Sequence, residues 1–409
     1  MKCRHCASEA TLSLADLGTS PPSNAYLDAA ALQRPESYYP LRVLVCTRCW
    51  LAQTEDFARA DDLFDANYAY FSGFSPSWLA HCERYVADMV TRFGLDATSH
   101  VVEIAANDGS LLQYVQARGI PCTGVEPTAS TAAAARQRGL TVVQDFFGTR
   151  LAREMVAQGR AADLVAANNV LAHVPDIDDF AAGFAHLLTP SGVATFEFPH
   201  LQRLVDGNQF DTLYHEHFSY LSLVAVDRIL GAAGLTVFDV EDLPTHGGSL
   251  RVFAQRTDSG AQPRSARVSA ALDREVAAGL CTAGYYEGFQ ARAERVKDDL
   301  LQFLLDAKRD GRRVAAYGAA AKGNTLLNFA GVRRDLLPYV VDRNPAKQGK
   351  FLPGSRIPVV APEHLLADRP DVVLVLPWNL GAEVVQQLPE VRQWAGRFVV
   401  AVPSLRDLP

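Results

Sequence analysis

The chain has 409 residues, 48% of them hydrophobic and 21% charged, and its formal net charge is -7. This composition is typical of a soluble globular protein and excludes a disordered or fibrous chain, while the length predicts two or three domains. The negative charge leaves no basic surface that would hold nucleic acid or an anionic membrane by bulk attraction.

The sequence carries no signal for a membrane span or for secretion. Its longest apolar runs, at 372–376 and 398–402, are far shorter than the ~20 residues of a membrane-spanning helix. The first residues, MKCRHC, have no apolar stretch behind the positive side chains, unlike a secretory signal. We therefore expect a cytoplasmic protein without a nucleic-acid or membrane partner. Because no coiled-coil pattern is present, we expect a monomer.

Four of the seven cysteines form two C-x2-C pairs, Cys3/Cys6 and Cys46/Cys49. Two such pairs suit tetrahedral zinc, whereas disulfides are disfavoured in a reducing cytosol and a redox motif needs only one pair. All-sulfur ligation leaves no open coordination position, so the predicted zinc is structural and stabilises a small head at 1–58. We expect His5, inside the first pair, to be a solvated loop residue.

Helices and strands alternate in the predicted second domain, 59–256. After an aromatic, polar stretch at 68–75, apolar residues recur at helical spacing from Trp78 to Met89. A helix is also predicted at 111–118, and a turn at 189–192. Strands alternating with helices predict parallel βαβ units in a doubly wound sheet. The predicted strands lie at 100–104, 122–125, 141–143, 162–167 and 193–198.

The loop after the first of these strands has the features of a ligand-binding turn. In doubly wound sheets the ligand lies at the carboxyl ends of the strands, where Glu103, Gly109 and Glu126 are placed. The loop lacks the early glycines of a dinucleotide site, and Asn107 and Asp108 add polar and negative groups where a pyrophosphate would lie. This pattern favours S-adenosylmethionine over a dinucleotide, although a plain turn without ligand would also produce it.

The last third of the chain predicts a helical connection, 257–310, and a second α/β domain, 311–409. From 263 to 310 the chain is predicted to be helical, and strands are predicted at 313–317, 338–341, 372–376 and 398–402, the last closing the sheet. The turn GAAAKGNT at 318–325 lacks the NTPase and dinucleotide motifs. A small-residue turn that opens a helix is nevertheless a potential anion site, with Lys322 adding charge; the alternative is a turn that only packs helix on strand. The predicted helix stripe consists of Phe289, Val296, Leu300, Phe303 and Ala307.

Several runs of sequence together resemble one enzyme family. They are EIAANDGS at 103–110, DFFG at 145–148, NNVLAHVP at 168–175, YHEHFSY at 214–220 and HGGSLR at 246–251, together with LGTSPPSNAY at 17–26. This set is similar to the NDP-sugar C-methyltransferases, which make branched deoxysugars, and the resemblance covers essentially the whole chain.

The resemblance implies an α/β protein with three folded parts. These are a small N-terminal zinc-binding domain, a class I methyltransferase (Rossmann-like) doubly wound domain, and a C-terminal Rossmann-like domain that holds the nucleotide of the sugar substrate. It implies S-adenosylmethionine as cofactor beside structural zinc. The implied cofactor-binding positions are Glu103, Asn107, Asp108, Gly109, Glu126, Asp145, Phe146 and Asn168.

Carbon methylation requires a nucleophilic carbon, which a keto sugar provides once a proton beside its carbonyl is removed. A positioned base must take that proton, and hydrogen-bond donors must meet the enolate oxygen. Because imidazole has an unperturbed pKa near ~6.5, we predict His217 as the base, with Glu216 orienting groups or contacting sugar hydroxyls. By the resemblance, Tyr214, His173 and Tyr68 surround the sugar ring and keto oxygen.

Other interpretations of these residues remain open at this stage. His215 and His217 have the spacing of a polar strand face, and a metal site formed with His173 is conceivable. The HGGS run fits a hairpin turn, whereas the resemblance places it in the active-site cleft. The implied substrate-binding residues are His246, Ser249 and Arg251 in the cleft, Lys322, Asn324 and Thr325 at the pyrophosphate, and Asp342 or Trp378 at the nucleoside.

The sequence thus predicts methyl transfer from S-adenosylmethionine to carbon 3 of a dTDP-4-keto-deoxysugar. Within the same class, O- or N-methylation of a sugar, or C-methylation at carbon 5, are alternatives. Outside it, the chain is either an NAD(P)-dependent sugar-nucleotide oxidoreductase or a noncatalytic sugar-nucleotide or scaffold protein. The Ala-rich turn at 318–321 argues against the oxidoreductase, and the clustered Tyr-His-Glu-His motif argues against the scaffold.

Overall fold

Three β-sheets organise the part of the chain that the computed structural model describes, residues 1–57 and 71–409. The first sheet belongs to the N-terminal domain, the second to a doubly wound α/β domain and the third to a C-terminal α/β domain. This arrangement confirms the predicted fold class. No helix among the described residues has the length and apolar content needed to span a bilayer.

The N-terminal sheet is antiparallel and has the order β1-β2-β3-β9. Strands β1 (Leu12–Ser20), β2 (Tyr39–Val45) and β3 (Ala52–Thr54) come from the head itself. Strand β9 (Ser219–Tyr220) comes from far along the chain and pairs with β3. The head is therefore completed by a strand that directly follows the motif at 214–217.

The central sheet has seven strands in the order β10-β11-β8-β7-β4-β5-β6. The five strands from β8 to β6 are parallel, and an antiparallel hairpin, β10 and β11, extends one edge. The strands are β4 (Val101–Ile104), β5 (Cys122–Val125), β6 (Val142–Val143), β7 (Ala162–Asn168), β8 (Leu188–Pro199), β10 (Leu235–Leu243) and β11 (Ser249–Arg256).

Two sequence predictions for this sheet need correction. The two antiparallel strands at the sheet edge, β10 and β11, were not predicted, although the HGGS run that joins them was recognised as fitting a hairpin turn. The turn predicted at 189–192 does not precede the strand predicted at 193–198, because the strand already begins at Leu188. It lies inside β8, whose pairing with β7 shifts from Leu188 to Val193, so the intervening residues are accommodated as a bulge that leaves the strand continuous.

Helices cover the two α/β sheets. Most begin just after a strand ends, as expected for βαβ units. They are α1 (Pro76–Phe93), α2 (Leu112–Gln116), α3 (Ala129–Gln137), α4 (Thr149–Ala157), α5 (Ile177–Leu187), α6 (Leu201–Asp206), α7 (Leu223–Ala232), α8 (Ala266–Ala278), α9 (Phe289–Arg309), α10 (Ala321–Phe329), α11 (Pro362–Asp368) and α12 (Gly381–Gln387).

The predicted continuous helix from 263 to 310 is wrong in one respect, since it is two helices. α8 ends at Gly279, whose φ of 94° is left-handed, and α9 begins after Gly288, with φ of 76°. Such glycines are typical helix ends because they lack the Cβ penalty of positive φ. The predicted apolar stripe of α9 is confirmed at Phe289, Val296, Leu300 and Ala307. At the fourth position of the stripe Leu304 is buried instead of Phe303, which is only partly buried.

The C-terminal sheet has the order β14-β13-β12-β15-β16-β17, parallel except for β17 at one edge. The sheet therefore does not close at 398–402 as predicted. β17 lies outside β16 and closes that edge. The strands are β12 (Val314–Tyr317), β13 (Val340–Val341), β14 (Val359–Val360), β15 (Val372–Val375), β16 (Arg397–Val400) and β17 (Arg406–Asp407).

Two of the hydrophobic cores each include residues from more than one of the three units. Residues Leu14 and Val43 of the N-terminal sheet belong to one buried cluster with Phe289 of α9 and Leu326 of α10. The cysteines of the head belong to another, which includes Phe180 of α5. The head is thus packed between the other two domains, and burial of this apolar surface fixes its position relative to them.

Candidate active site

One cavity of about 580 Å³ lies where the three units meet. Its wall includes Asn24 from the head, the loops that follow β4, β5 and β7, and the turn at 320–322 before α10. The carboxyl ends of the parallel strands of both α/β sheets thus face the same space, which is where ligands bind in such folds.

Six of the eight predicted cofactor-binding residues line this cavity. The other two support the loop from behind. Asp108 accepts hydrogen bonds from Ser72 Oγ (3.1 Å) and Arg138 Nη2 (3.0 Å). Gly109 has a φ of 79°, and a Cβ there would overlap the Leu140 side chain, so glycine is required for this turn. The six lining residues are Glu103, Asn107, Glu126, Asp145, Phe146 and Asn168.

The polar groups of this half of the cavity are arranged to receive a polar ligand. The pKa of Glu103 is raised well above its usual value, mainly by burial and to a smaller extent by the nearby Asp108 and Glu126 carboxylates. In the described part of the chain, Glu103 Oε2 and both amide atoms of Asn168 are buried without a hydrogen-bond partner. Glu126 instead accepts the amide hydrogens of Asn107 (2.8 Å) and Thr128 (2.9 Å). Buried groups without partners are costly unless a ligand satisfies them.

The Tyr-His-Glu-His motif forms a turn, so the polar-strand interpretation of its histidines is wrong. His217 donates its amide hydrogen to Tyr214 O (2.9 Å), and only the next residues enter β9. His217 Nδ1 donates to Thr212 O (3.1 Å), which leaves Nε2 to accept from the Tyr214 hydroxyl (2.9 Å). His217 and Tyr214 both line the cavity, and the unprotonated ring nitrogen faces a hydroxyl donor.

A second histidine stands beside this pair. The rings of His173 and His217 are 4.6 Å apart, and His173 Nδ1 donates to Glu216 O (2.7 Å). Burial lowers the pKa of His173 to about 4, and burial together with His173 lowers the pKa of His217 well below its usual value. Both imidazoles are therefore neutral near neutral pH, as a general base must be.

The remaining motif residues point away from the cavity. The Glu216 carboxylate accepts from Asn24 N (2.8 Å), Asn24 Nδ2 (3.1 Å) and Ser23 N (3.4 Å), and it is not among the residues that line the cavity. His215 Nε2 donates to Pro40 O (3.2 Å). The structure thus brings together Tyr214, His217 and His173 but directs Glu216 to the head. The predicted catalytic Tyr68 lies outside the described residues.

The hairpin interpretation and the cleft interpretation of HGGS both apply. The run joins β10 to β11, and within it His246, with φ of 55°, lines the cavity 5.9 Å from the Trp78 ring. Burial lowers the pKa of His246 to about 4. Ser249 Oγ donates to Thr245 O (2.9 Å), and Arg251 is buried against Glu197 (2.9 Å). Only His246 of these three predicted residues reaches the cavity wall.

Lys322 is the predicted pyrophosphate residue that lines the cavity. Its Nζ lies 2.7 Å from Asn379 Oδ1 and 4.7 Å from the centre of the Trp378 ring. The Trp378 indole donates to Asp211 Oδ2 (2.8 Å), and burial raises the pKa of Asp211 to about 6 while burial lowers the pKa of Lys322. A cation held at the start of α10 favours an anionic ligand.

The other predicted nucleotide-binding residues make contacts within the protein. Asn324 Nδ2 donates to Ser23 O (2.6 Å), and Thr325 Oγ1 donates to Leu213 O (2.8 Å), so both tie α10 to neighbouring segments. Asp342 accepts from Ala319 N (2.8 Å). Asn324, Thr325, Asp342 and Trp378 are not among the residues that line the cavity.

Asn24, Trp78, Thr212 and Lys347 are among the lining residues that were not predicted as site residues. Asn24 lies in the quoted LGTSPPSNAY run, and Trp78 lies on the predicted helical stripe, so the sequence contained both without indicating their role. Thr212 and Lys347 had no motif to mark them. Asn24 and Lys347 reach the cavity from the head and from the C-terminal domain, and this packing between separate units is not encoded by a local pattern.

The four paired cysteines meet in the head as predicted. The distance is 3.5 Å from Cys3 Sγ to Cys49 Sγ and from Cys6 Sγ to Cys46 Sγ, and all four sulfurs lie within 4.8 Å of one another. Tetrahedral zinc with Zn–S bonds of ~2.3 Å needs sulfurs ~3.8 Å apart, so the cluster fits the ion. Within residues 1–57 and 71–409 it is the only cluster of potential metal ligands found, and the histidine metal site is not among such groups.

The expectation that His5 is solvated is wrong. Its side chain is only 11% exposed, and Nδ1 lies 2.7 Å from Asp178 Oδ1 at the start of α5. Cys3 and Cys6 direct their sulfurs inward. The side chains between them, Arg4 and His5, therefore pack against the central domain at Pro175 and Asp178. Docking of the head thus accounts for the burial.

Family models match along the chain. A zinc binding domain model matches residues 3–64, a Methyltransferase domain model matches residues 78–240, and a model of a C-methyltransferase C-terminal domain matches residues 244–403. A curated relative, the C-methyltransferase NovU of Streptomyces niveus, is 34% identical over 405 residues, which are 99% of this chain and 96% of NovU.

Two solved structures to which the chain is similar each cover less than half of it. The PH0226 protein from Pyrococcus horikoshii is 13% identical and covers 46% of this chain and 95% of its own, with a TM-score of 0.39. The magnesium protoporphyrin IX methyltransferase from Synechocystis, solved with bound SAH, is 20% identical and covers 44% of this chain and 83% of its own, with a TM-score of 0.35.

Proposed function

Because the chain belongs to the NDP-sugar C-methyltransferase family, we propose that it methylates carbon 3 of a dTDP-4-keto-deoxysugar. It is an S-adenosylmethionine-dependent C-methyltransferase with a structural zinc ion. We propose the identity of the sugar nucleotide, the ring position that is methylated and a cytoplasmic location for the reaction. We also propose that the enzyme acts in the biosynthesis of branched deoxysugars, including those found in antibiotics.

The residues of the central domain fit the cofactor. The unpartnered Glu103 and Asn168 groups and the Glu126 carboxylate offer acceptors and donors for its ammonium and hydroxyl groups. When bound, S-adenosylmethionine supplies an electrophilic methyl group. The chain contributes by holding the acceptor carbon beside it, since correct placement alone lowers the barrier to group transfer.

His217 is proposed as the base that activates the acceptor carbon. Its Nε2 takes the proton beside the keto group, and the electron pair of that C–H bond moves toward the carbonyl oxygen. The Tyr214 hydroxyl, which caps Nε2 before substrate binds, turns to the oxygen that becomes negative, and His173 stands beside it. Hydrogen bonds that meet developing charge give strong catalysis in a water-poor site. Tyr68 stays a proposed neighbour of the sugar.

The C-terminal domain is proposed to hold the nucleotide. Lys322 at the start of α10 lies on the same cavity as His217, so a diphosphate at the lysine would place the sugar toward the base. Asp342 and Trp378 stay proposals for the nucleoside, and Asn324, Thr325, Ser249 and Arg251 would act through the contacts that shape the cavity.

The observation that carries the proposal is the shared cavity, which brings the cofactor loop, the neutral His217–Tyr214 pair and the partly buried Lys322 together. The test is mass spectrometry of the purified protein incubated with S-adenosylmethionine and a panel of keto-sugar nucleotides. We expect one methyl group to be added to a 4-keto substrate, with loss of deuterium from carbon 3. Loss from carbon 5, or methylation without loss of ring deuterium, would contradict the proposed position or the C-methylation itself.

A further inference from the structure

The backbone that carries His217 is bonded to the head on the side away from the cavity. Thr54, at the end of β3, donates its hydroxyl to His217 O (3.0 Å) and its amide hydrogen to Phe218 O (3.1 Å). The Thr54 side chain is buried, with a residue exposure of 2%. Tyr220 of β9 accepts the amide hydrogen of Tyr214 at its hydroxyl (3.2 Å). The short strands β3 and β9 thus support both His217 and Tyr214.

Arg4 connects this strand pair to the zinc knuckle. It stands between the ligands Cys3 and Cys6, and its side chain is 5% exposed. Its guanidinium donates to Thr54 O (2.9 Å) and Pro175 O (3.0 Å), and its amide donates to the Gln53 side chain (2.9 Å). Pro175 belongs to the cavity wall. Arg4 therefore contacts both β3, whose Thr54 bonds to His217 O, and the loop at Pro175, which forms part of the cavity wall.

The Arg4 guanidinium also covers the residue that follows the base. Its central carbon lies 5.4 Å from the centre of the Phe218 ring, and Asp56 accepts from it at 2.9 Å. A planar guanidinium with several fixed partners loses little freedom for each hydrogen bond. Because Cys3 and Cys6 fix the backbone on both sides of Arg4, the orientation of its side chain depends on an intact knuckle.

We propose that Arg4 and Thr54 are positioning residues for His217, through which the zinc knuckle sets the geometry of proton abstraction. The inference rests on the proposed function of His217 and extends it to the head. The zinc ion acts at a distance from the reacting atoms, through the path Cys3–Arg4–Thr54–His217. Displacing a catalytic group by ~1 Å can cost ~100-fold in rate, so a loosened knuckle would impair proton abstraction while leaving the cofactor loop intact.

A matched control exists in the other knuckle. Arg48 stands between Cys46 and Cys49 as Arg4 does between Cys3 and Cys6, but its side chain is exposed and donates only to Ser8 Oγ (3.3 Å) among the described contacts. Arg4→Ala and Arg48→Ala therefore remove the same side chain at the same distance in sequence from zinc ligands. Only the first removes contacts to β3, whose Thr54 donates its hydroxyl to His217 O.

The experiment compares these two variants with the wild-type protein in three measurements. Zinc content and the dissociation constant for S-adenosylmethionine report on the two cofactor sites. Amide hydrogen exchange of peptides covering 52–56 and 214–220 reports on the strand pair. Turnover of a keto-sugar nucleotide completes the set. In Arg4→Ala we expect full zinc content, an unchanged cofactor dissociation constant, exchange at least ~10-fold faster in both peptides and turnover lower by ~10- to 100-fold.

Arg48→Ala should match the wild type in every measurement. Wild-type exchange in Arg4→Ala, or equal losses in the two arginine variants, would overturn the inference. The exchange data decide it even if no keto sugar is methylated, which separates its failure from that of the proposed function.

Thr54 provides a second test that leaves Arg4 in place. Thr54→Val keeps the shape of the side chain and removes the hydroxyl that binds His217 O, whereas Thr54→Ser keeps the hydroxyl. We expect Thr54→Val to lower turnover without changing the KM for the sugar nucleotide, and Thr54→Ser to restore most of it. Equal activity of Thr54→Val and wild type would overturn the role of Thr54.

Discussion

Replacement of His217 by asparagine tests the base assignment with little disturbance of the fold. The asparagine amide can still donate to Thr212 O as His217 Nδ1 does (3.1 Å), but nothing replaces Nε2, which accepts the Tyr214 hydroxyl. Loss of a general base typically costs ~100- to 10,000-fold in rate, which corresponds to ~3–5 kcal/mol of activation free energy. We expect turnover to fall within this range and the dissociation constant for S-adenosylmethionine to stay unchanged.

The pH dependence supplies an independent measure of the same group. Burial and the neighbouring His173 lower the pKa of His217, and a base works only when unprotonated. The acid limb of kcat/KM should therefore lie below the pKa of free imidazole, ~6.5, so that activity persists into mildly acidic solution. In His217→Asn this limb should disappear from the residual activity.

A matched control uses the neighbouring histidine. His215 lies in the same motif but donates to Pro40 O and does not line the cavity. His215→Gln retains a donor at a similar position, so we expect near-normal turnover. Full activity in His217→Asn, or equal losses in the two variants, would refute the assignment of His217.

Three other changes test the metal site, the cofactor loop and the anion site. Cys46→Ser should lower zinc content and the thermal midpoint, since metal binding contributes folding free energy to a small domain; a full complement of zinc would contradict the ligand set. Gly109→Ala should destabilise the protein by ~1–2 kcal/mol, because φ is 79° and the new Cβ would overlap Leu140. The same change should weaken S-adenosylmethionine binding in a calorimetric titration. An unchanged melting curve would count against the expected loss of stability. Lys322→Met should raise the KM for the sugar nucleotide by ~10-fold or more, as expected for a lost hydrogen bond to a charged group, with the cofactor affinity unchanged; an unaltered KM would exclude a phosphate contact.

Local sequence patterns were sufficient to predict much of the architecture. The alternation of strands and helices predicted the parallel part of the central sheet, and the C-x2-C spacing predicted a cysteine cluster whose sulfurs now lie within 4.8 Å of one another. These predictions succeed because each depends on residues that are near in sequence or on a ligand with a fixed geometry. The Glu103 loop likewise reaches the cavity because parallel strands end at one edge.

Contacts between distant segments were not predictable in this way. Glu216 bonds to Ser23 and Asn24, and Asn324 bonds to the same segment, although the family resemblance implied a place in the active site for both side chains. The pairing of β9 with β3 joins residues more than 160 positions apart. Such contacts arise from tertiary packing, which no local periodicity records. The monomeric state stays a prediction.

The most direct test follows deuterium at carbon 3 of a labelled 4-keto-sugar nucleotide in the presence of S-adenosylhomocysteine, which permits proton abstraction without methyl transfer. The wild-type protein should release the label to water, and His217→Asn should release it at the rate of the protein-free solution. Release by His217→Asn at the wild-type rate would contradict the central role given to this imidazole.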